Sequence, residues 1–277
     1  MKKNIAVIIV VCIFVSLVSC ATVNKVANLH EIPKRNKSAI SGSEFVEKAK
    51  NLDAEERENF ILQEIISGNF PNFMRKLAEI KTSIEVDGKL VEAKYFVMPD
   101  YLMVGNDTDF VRLPMQPKTA QKIANAFGFF LSTSKICDDI YNAAEVKLEP
   151  RPLTVDRDSF LTFVEHHNII ENQRQQRKGL IAGIKKDVVI TGELLLYKNI
   201  KKVAIYGWHK LDGIPIQPVY SGHIDWYVDY SHGVRLIFQT IFVDGKPVNY
   251  KDILSDEKLK SLLCKETDCN YFAYPTN

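Results

Sequence analysis

The 277-residue chain lacks the motifs of the commonest catalytic and cofactor-binding classes. It contains no HExxH, GxSxG, GxxxxGK[ST] or CxxC and no EF-hand loop, which sets aside the common zincins, α/β-hydrolases, P-loop enzymes, thioredoxin-like proteins and calcium sensors. No segment repeats and no tract is of low complexity, so solenoids and fibrous assemblies fall away as well. Charge of one sign is also missing: Lys and Arg number 36 against 34 Asp and Glu. The small excess belongs to Lys2 and Lys3, and without them the balance is even, so nucleic-acid binding has no net positive charge behind it. With 46% hydrophobic and 25% charged residues, the chain has the composition of an ordinary globular protein.

The N-terminus carries an address. Met1-Lys2-Lys3-Asn4 is a short positive region, and residues 5–18 are apolar except for Ser16, a run shorter than the roughly 20 residues of a membrane span. That run ends Leu17-Val18-Ser19-Cys20, which resembles the bacterial lipoprotein lipobox. The resemblance implies cleavage before Cys20 and a thioether-linked diacylglycerol on its sulfur, usually with an acylated amine. Ala21 in the place where Asp would signal inner-membrane retention implies the outer membrane in a Gram-negative cell. The expected organisation is therefore a signal peptide at 1–19, a lipidated tether at 20–40 and a globular domain at 41–277. Pro150 and Pro152 mark the place where two lobes would meet. Attachment would rest on acyl chains, at about 0.8 kcal/mol per buried methylene, rather than on a basic patch.

Cysteine usage fits export. Cys12 leaves with the signal, Cys20 takes the lipid, and Cys137 reads as a core residue of a helix over 133–144. The spacing of Cys264 and Cys269 leaves a small disulfide loop and two free thiols equally open.

Periodicity predicts capped, acid-rich helices after Ser43 and Asp53, and then a hairpin of 80–86 and 89–98 turning at Asp87-Gly88. An extended stretch at 101–113 precedes helices at 119–127 and 133–144, and a third helix covers 158–177. The remainder reads as strands at 187–190, 202–206, 224–230 and 234–243, with a short one after Asp244-Gly245. Helices and strands fall in blocks, so the expected class is α+β: N-terminal helices and a hairpin, then a mostly antiparallel sheet in the C-terminal half with packed helices.

One region is chemically concentrated. Residues 206–232 hold both Trp, three of the six His and four Tyr, but only one Lys or Arg, Lys210. As a strand, 224–230 would put Ile224, Trp226, Val228 and Tyr230 on one face. His223, Asp225, Tyr227 and Asp229 would line the other, about 7 Å apart at every second position. A three-residue loop Ser231-His232-Gly233, with Gly233 left-handed, would pair Tyr230 with Val234, Val228 with Leu236 and Trp226 with Phe238. It would also set Asp229 opposite Arg235 and leave His232 at an exposed tip.

That arrangement yields the candidate site. His223 with Asp229 is a carboxylate-oriented imidazole suited to acid–base work near neutral pH, Arg235 the orienter, and His209 or His232 a second imidazole. Trp208, Tyr227, Asp225 and Lys186 are candidate substrate contacts. No cofactor is required, although His209, His223, His232 and Asp229 are residue types that bind Zn²⁺. Ser221-x-His223 with Asp229 and Trp208-His209 is similar to motifs of zinc D-Ala-D-Ala carboxypeptidases. The His-to-Asp spacing is one residue shorter, however, and Trp-His comes before rather than after. The expected function is an envelope-anchored hydrolase of cell-wall peptide or glycan. The alternatives are a sugar- or peptide-binding lipoprotein, with Trp208, Trp226, Tyr220 and Tyr227 as an aromatic platform, and a structural envelope component. Asp107, Asp109 and Arg112 form a weaker second group, and His166 and His167 are expected to be structural.

Overall fold

The computed structural model describes residues 32–197 and 201–276, so the signal, lipobox and most of the tether lie outside the described residues. Pro33–Asn277 forms one compact unit of class α+β, with mostly antiparallel sheets.

Local chemistry sets the first elements. Ser41 caps α1 (Gly42–Ala49) and Asp53 caps α2 (Ala54–Ile66), each in a reciprocal capping box, with Glu44 and Glu56 as the respective partners. The hairpin of β1 (Ala78–Val86) and β2 (Lys89–Val97) closes with Val86 opposite Lys89. Asp87 and Gly88, with φ of 50° and 75°, form the two-residue turn that Asp-Gly favours. Asp244 and Gly245 repeat this device between β13 (Thr240–Val243) and β14 (Lys246–Asn249).

β2 is the spine of a six-stranded sheet. β1 flanks one edge, while β12 (Leu236–Phe238) and β13 flank the other, and β5 (Phe129–Leu131) extends the sheet beyond β12. Strands from both sides of Pro150 are thus interleaved in one sheet. Its buried residues, among them Tyr95, Val97, Phe130, Ile237 and Ile241, form the main core. A small hairpin of β3 (Met103–Gly105) and β4 (Phe110–Arg112) supplies the extended stretch expected over 101–113.

A second sheet has the order β10-β9-β8-β11 and carries the concentrated region. β8 (Lys186–Val189), β9 (Lys202–His209) and β10 (Pro215–Ile224) pair antiparallel, whereas β11 (His232–Gly233) pairs parallel to β8. The helices α3 (Pro117–Phe127), α4 (Ser134–Ala143), α5 (Phe160–Arg174) and α6 (Tyr250–Ser255) complete the unit. β6 (Val146–Lys147) and β7 (Ile181–Ala182) add a short parallel pair. Cys137 is a buried free thiol of α4, and Cys264 is joined to Cys269 by a disulfide.

The predicted hairpin at 231–233 is not formed. Residues 225–231 are irregular and run from β10 at one edge of the second sheet to β11 at the other; we refer to them as the strap. His232 lies opposite Lys186 and is 1% exposed instead of standing at a tip. Leu236 and Phe238 pair with Leu131 and Phe129 of β5, not with Val228 and Trp226. Gly233 is required by close approach rather than by a left-handed backbone: a Cβ there would lie 2.5 Å from Tyr101 Cδ1 and 2.7 Å from Lys185 Cβ. Long-range pairing of two short strands outweighs the local alternation that favoured the hairpin.

Candidate functional site

The strap gathers much of the predicted site by a different route. Tyr230 anchors it: the Tyr230 N–H donates to Arg157 O (2.9 Å), while its hydroxyl donates to Leu153 O (2.9 Å) and accepts from Leu153 N–H (2.6 Å). Asp229, 1% exposed, is held by several donors at once. Its Oδ1 accepts from the Ser231 N–H (2.8 Å) and hydroxyl (2.6 Å), while Oδ2 takes Arg157 Nη2 (2.6 Å) and the Tyr227 hydroxyl (3.2 Å). Burial pushes this carboxyl up, but the Ser231 bonds, His232 and Arg157 outweigh it and hold Asp229 below the usual carboxylate range.

Above Asp229 the rings form a chain of contacts. Tyr227 lies 4.7 Å from His223 and 6.0 Å from His232 between centroids, and the two imidazoles are 6.1 Å apart. Tyr220 closes on His223 at 5.0 Å. Half-buried His223 is lowered from its ordinary value by burial, against the opposing pull of Asp229. Fully buried His232 is pushed down to about 3, again by burial first. Both imidazoles are therefore neutral at pH 7, and His223 is the more accessible.

Behind this group β9 is kinked. Gly207 and Trp208 both have positive φ, 100° and 55°, and for a bulky residue such as Trp208 this is a strained backbone held by its surroundings. The buried indole packs 5.9 Å from His166, 6.2 Å from Tyr230 and 5.5 Å from the Lys186 ammonium. Trp208 Nε1 and His166 Nδ1 are buried without a hydrogen-bond partner, and burial drives His166 down to about 2. Lys185, 1% exposed, donates to Tyr230 O and is lowered to about 7 by burial, with Arg112 adding to the shift.

The structure thus brings together His223, Tyr227, Asp229 and His232, with Lys186 beside them. Asp225 begins the strap, its N–H donating to Lys201 O (3.2 Å). Three predicted contributors have other surroundings. His209 is bonded through Nε2 to Asp138 Oδ1 (2.8 Å), which also takes the Tyr206 hydroxyl (2.8 Å), while Lys265 binds the other carboxyl oxygen. Its ring stacks on Tyr141 at 4.6 Å. Arg235 is not opposite Asp229: its guanidinium donates to Met98 O (2.8 Å) and Ile181 O (2.6 Å), over the Tyr101 ring. Trp208 is 3% exposed and cannot serve in a platform, whereas Trp226 is 64% exposed and Tyr220 44%. Arg157, Ser231, Lys185 and His166 join the site without having been predicted. The adjacent Lys185-Lys186-Asp187 was the one available signal, since alternation must send one of two neighbouring lysines inward.

Two of the four residues expected to bind Zn²⁺, His209 and Asp229, are engaged by protein partners in this structure. His209 Nε2 is committed to Asp138, and both Asp229 oxygens are committed to Ser231, Arg157 and Tyr227. No group of three or more His, Cys, Asp or Glu among the described residues is arranged around a common point. In the weaker second group, Asp109 accepts from Ser43 and Asp107 from Asn72 and Phe73. Arg112 is wholly buried, pairing with Asp100 (2.6 Å) and Glu171 (2.7 Å). His166 and His167 are both buried in α5.

No protein-family model matches the chain, and no curated protein or solved structure is similar to it.

Proposed function

We propose that the chain is an exported, lipid-anchored hydrolase of bacterial cell-wall peptide or glycan, acting through His223. The observation that carries this reading is the contact cluster itself: an accessible neutral imidazole against Tyr227, which is hydrogen-bonded to a buried, charge-stabilised Asp229. In this role His223 removes a proton from water as the oxygen attacks the substrate, then returns it to the leaving group as the scissile bond breaks. Asp229 orients the cluster through Tyr227 and favours the transient imidazolium, while buried His232 acts as a positioning residue. The roles expected for His209 and Arg235 do not carry over, because their bonds are made elsewhere. The Cys264–Cys269 disulfide supports an oxidising compartment, as the lipobox does from the sequence.

The purified mature chain, incubated with peptidoglycan sacculi, should release soluble fragments resolved by mass spectrometry. His223→Ala should abolish release, and Asp229→Asn should reduce it at least tenfold. Intact sacculi, or equal release by both variants, would remove the proposal.

A further inference from the structure

Tyr227 forms part of a second feature. Its ring, together with Trp226, closes a cleft of about 120 Å³ against α2 and the loop ahead of α3, lined also by Arg57, Glu58, Gln116 and Asp158. We propose that this cleft is a sugar subsite of the His223 centre, holding one pyranose ring of a cell-wall glycan against Trp226 with Glu58 as a hydrogen-bonding partner.

The inference rests on the hydrolase reading for its place in a reaction, but its binding claim stands on geometry. Trp226 is one of two tryptophans and lines this cleft while 64% exposed, so its indole face is open to a ligand. Glu58 Oε1 accepts from the Gln116 N–H (3.0 Å) and the Thr119 side chain also bonds this carboxyl, while Oε2 is buried without a partner. A carboxyl in that setting is incomplete without a ligand group. Burial raises Glu58 to about 7, so near neutral pH it carries its proton for much of the time and can donate to a hydroxyl. Among the charged residues lining the cleft, Arg57 and Asp158 are opposite in sign and Glu58 is partly protonated, so the cleft is close to neutral and matches an uncharged polyol better than an anion. A pyranose presents an apolar C–H face for the indole and equatorial hydroxyls for the carboxyl, amide and guanidinium groups. Because Tyr227 both lines the cleft and contacts His223 (4.7 Å between centroids), a sugar in this cleft would lie next to the imidazole.

The probe is a β-1,4-linked N-acetylglucosamine tetramer, titrated into the mature chain with Cys20→Ser replacing the lipidation site. Trp208 is buried, so a change in tryptophan emission reports Trp226. Calorimetry should give an affinity at least tenfold weaker for Trp226→Ala and severalfold weaker for Glu58→Ala. Glu58→Gln, which keeps a neutral donor, should bind within about twofold of the parent. Absence of binding, or equal binding by Trp226→Ala, would overturn the subsite. Binding without any release from sacculi would remove the hydrolase reading and leave the subsite standing. Normal release by Trp226→Ala would remove the subsite and leave the hydrolase.

Discussion

Lys185 supplies the sharpest energetic test, because it is a buried amine with a single hydrogen-bond partner, Tyr230 O. Folding lowers its pKa from 10.5 to about 7, with burial the largest cause. Between those values the unfolded chain binds the extra proton, so stability should rise with pH across the window 7 to 10.5 and be lowest below it. Each unit is worth about 1.4 kcal/mol, which makes the cost of the charged amine about 5 kcal/mol below pH 7. Replacing it by methionine removes the charge at similar length and gives up one hydrogen bond, worth about 1 kcal/mol. Lys185→Met should therefore be the more stable protein at pH 6, by an amount that shrinks by about 2 kcal/mol between pH 7 and 9. Urea unfolding of both proteins at pH 6, 7, 8 and 9 measures the difference, and titrating groups remote from Lys185 cancel in the comparison. A difference independent of pH, or a methionine variant less stable at pH 6, would refute the placement of a charged-at-rest lysine in this interior.

Two further predictions concern the framework. Reduction of Cys264–Cys269 opens a loop closed by only five residues of separation and should cost about 2 kcal/mol, read as a lower urea midpoint in dithiothreitol. Alkylation without reductant should leave both residues unlabelled. Arg112→Ala strands Asp100 in the core and should cost about 3–5 kcal/mol, whereas Glu171→Gln, at a partner 30% exposed, should cost about 1 kcal/mol or less. Equal losses in the two variants would mean that the buried pair is not the dominant one.

The parts of the fold legible in the sequence are those fixed within a few residues. Asp87-Gly88 and Asp244-Gly245 specify their turns because both residues must take positive φ, and Asp53 with Glu56 specifies the start of α2 by reciprocal hydrogen bonds. The strap was misread for the opposite reason. Residues 224–230 alternate apolar and polar side chains as a half-exposed strand would, yet Trp226 and Tyr230, assigned to the same face, are 64% and 1% exposed. Tyr230 is buried through its bonds to Leu153 and Arg157, and Trp226 lines a cleft with Arg57, Glu58 and Gln116; these partners are distant in sequence, and no local period encodes them. Gly233 looked like a turn residue for the same reason, since the space it spares is needed by Tyr101 and Lys185.

The enrichment of His, Trp and Tyr over 206–232 has two separate physical origins. At the end of β9, His209 completes a network with Asp138, Tyr206 and Lys265 and stacks on Tyr141, which ties that strand to α4. On β10, the strap and β11, His223, Tyr227 and His232 pack against one another above Asp229, and the segment is pinned from outside by Arg157 at Asp229 and Leu153 at Tyr230. His223 itself lies on the edge strand β10, opposite Val203, and the pinned irregular segment that follows it carries Asp229 with both carboxyl oxygens already engaged. In a regular hairpin, Asp229 would have faced Arg235 across the sheet, as an ordinary half-exposed cross-strand pair. In the observed fold Arg235 is instead bound to the carbonyls of Met98 and Ile181, over the Tyr101 ring. The strap's carboxylate is then set by Ser231 and Arg157, while burial, against the pull of Asp229, keeps the half-buried His223 neutral beside Tyr220 and Tyr227.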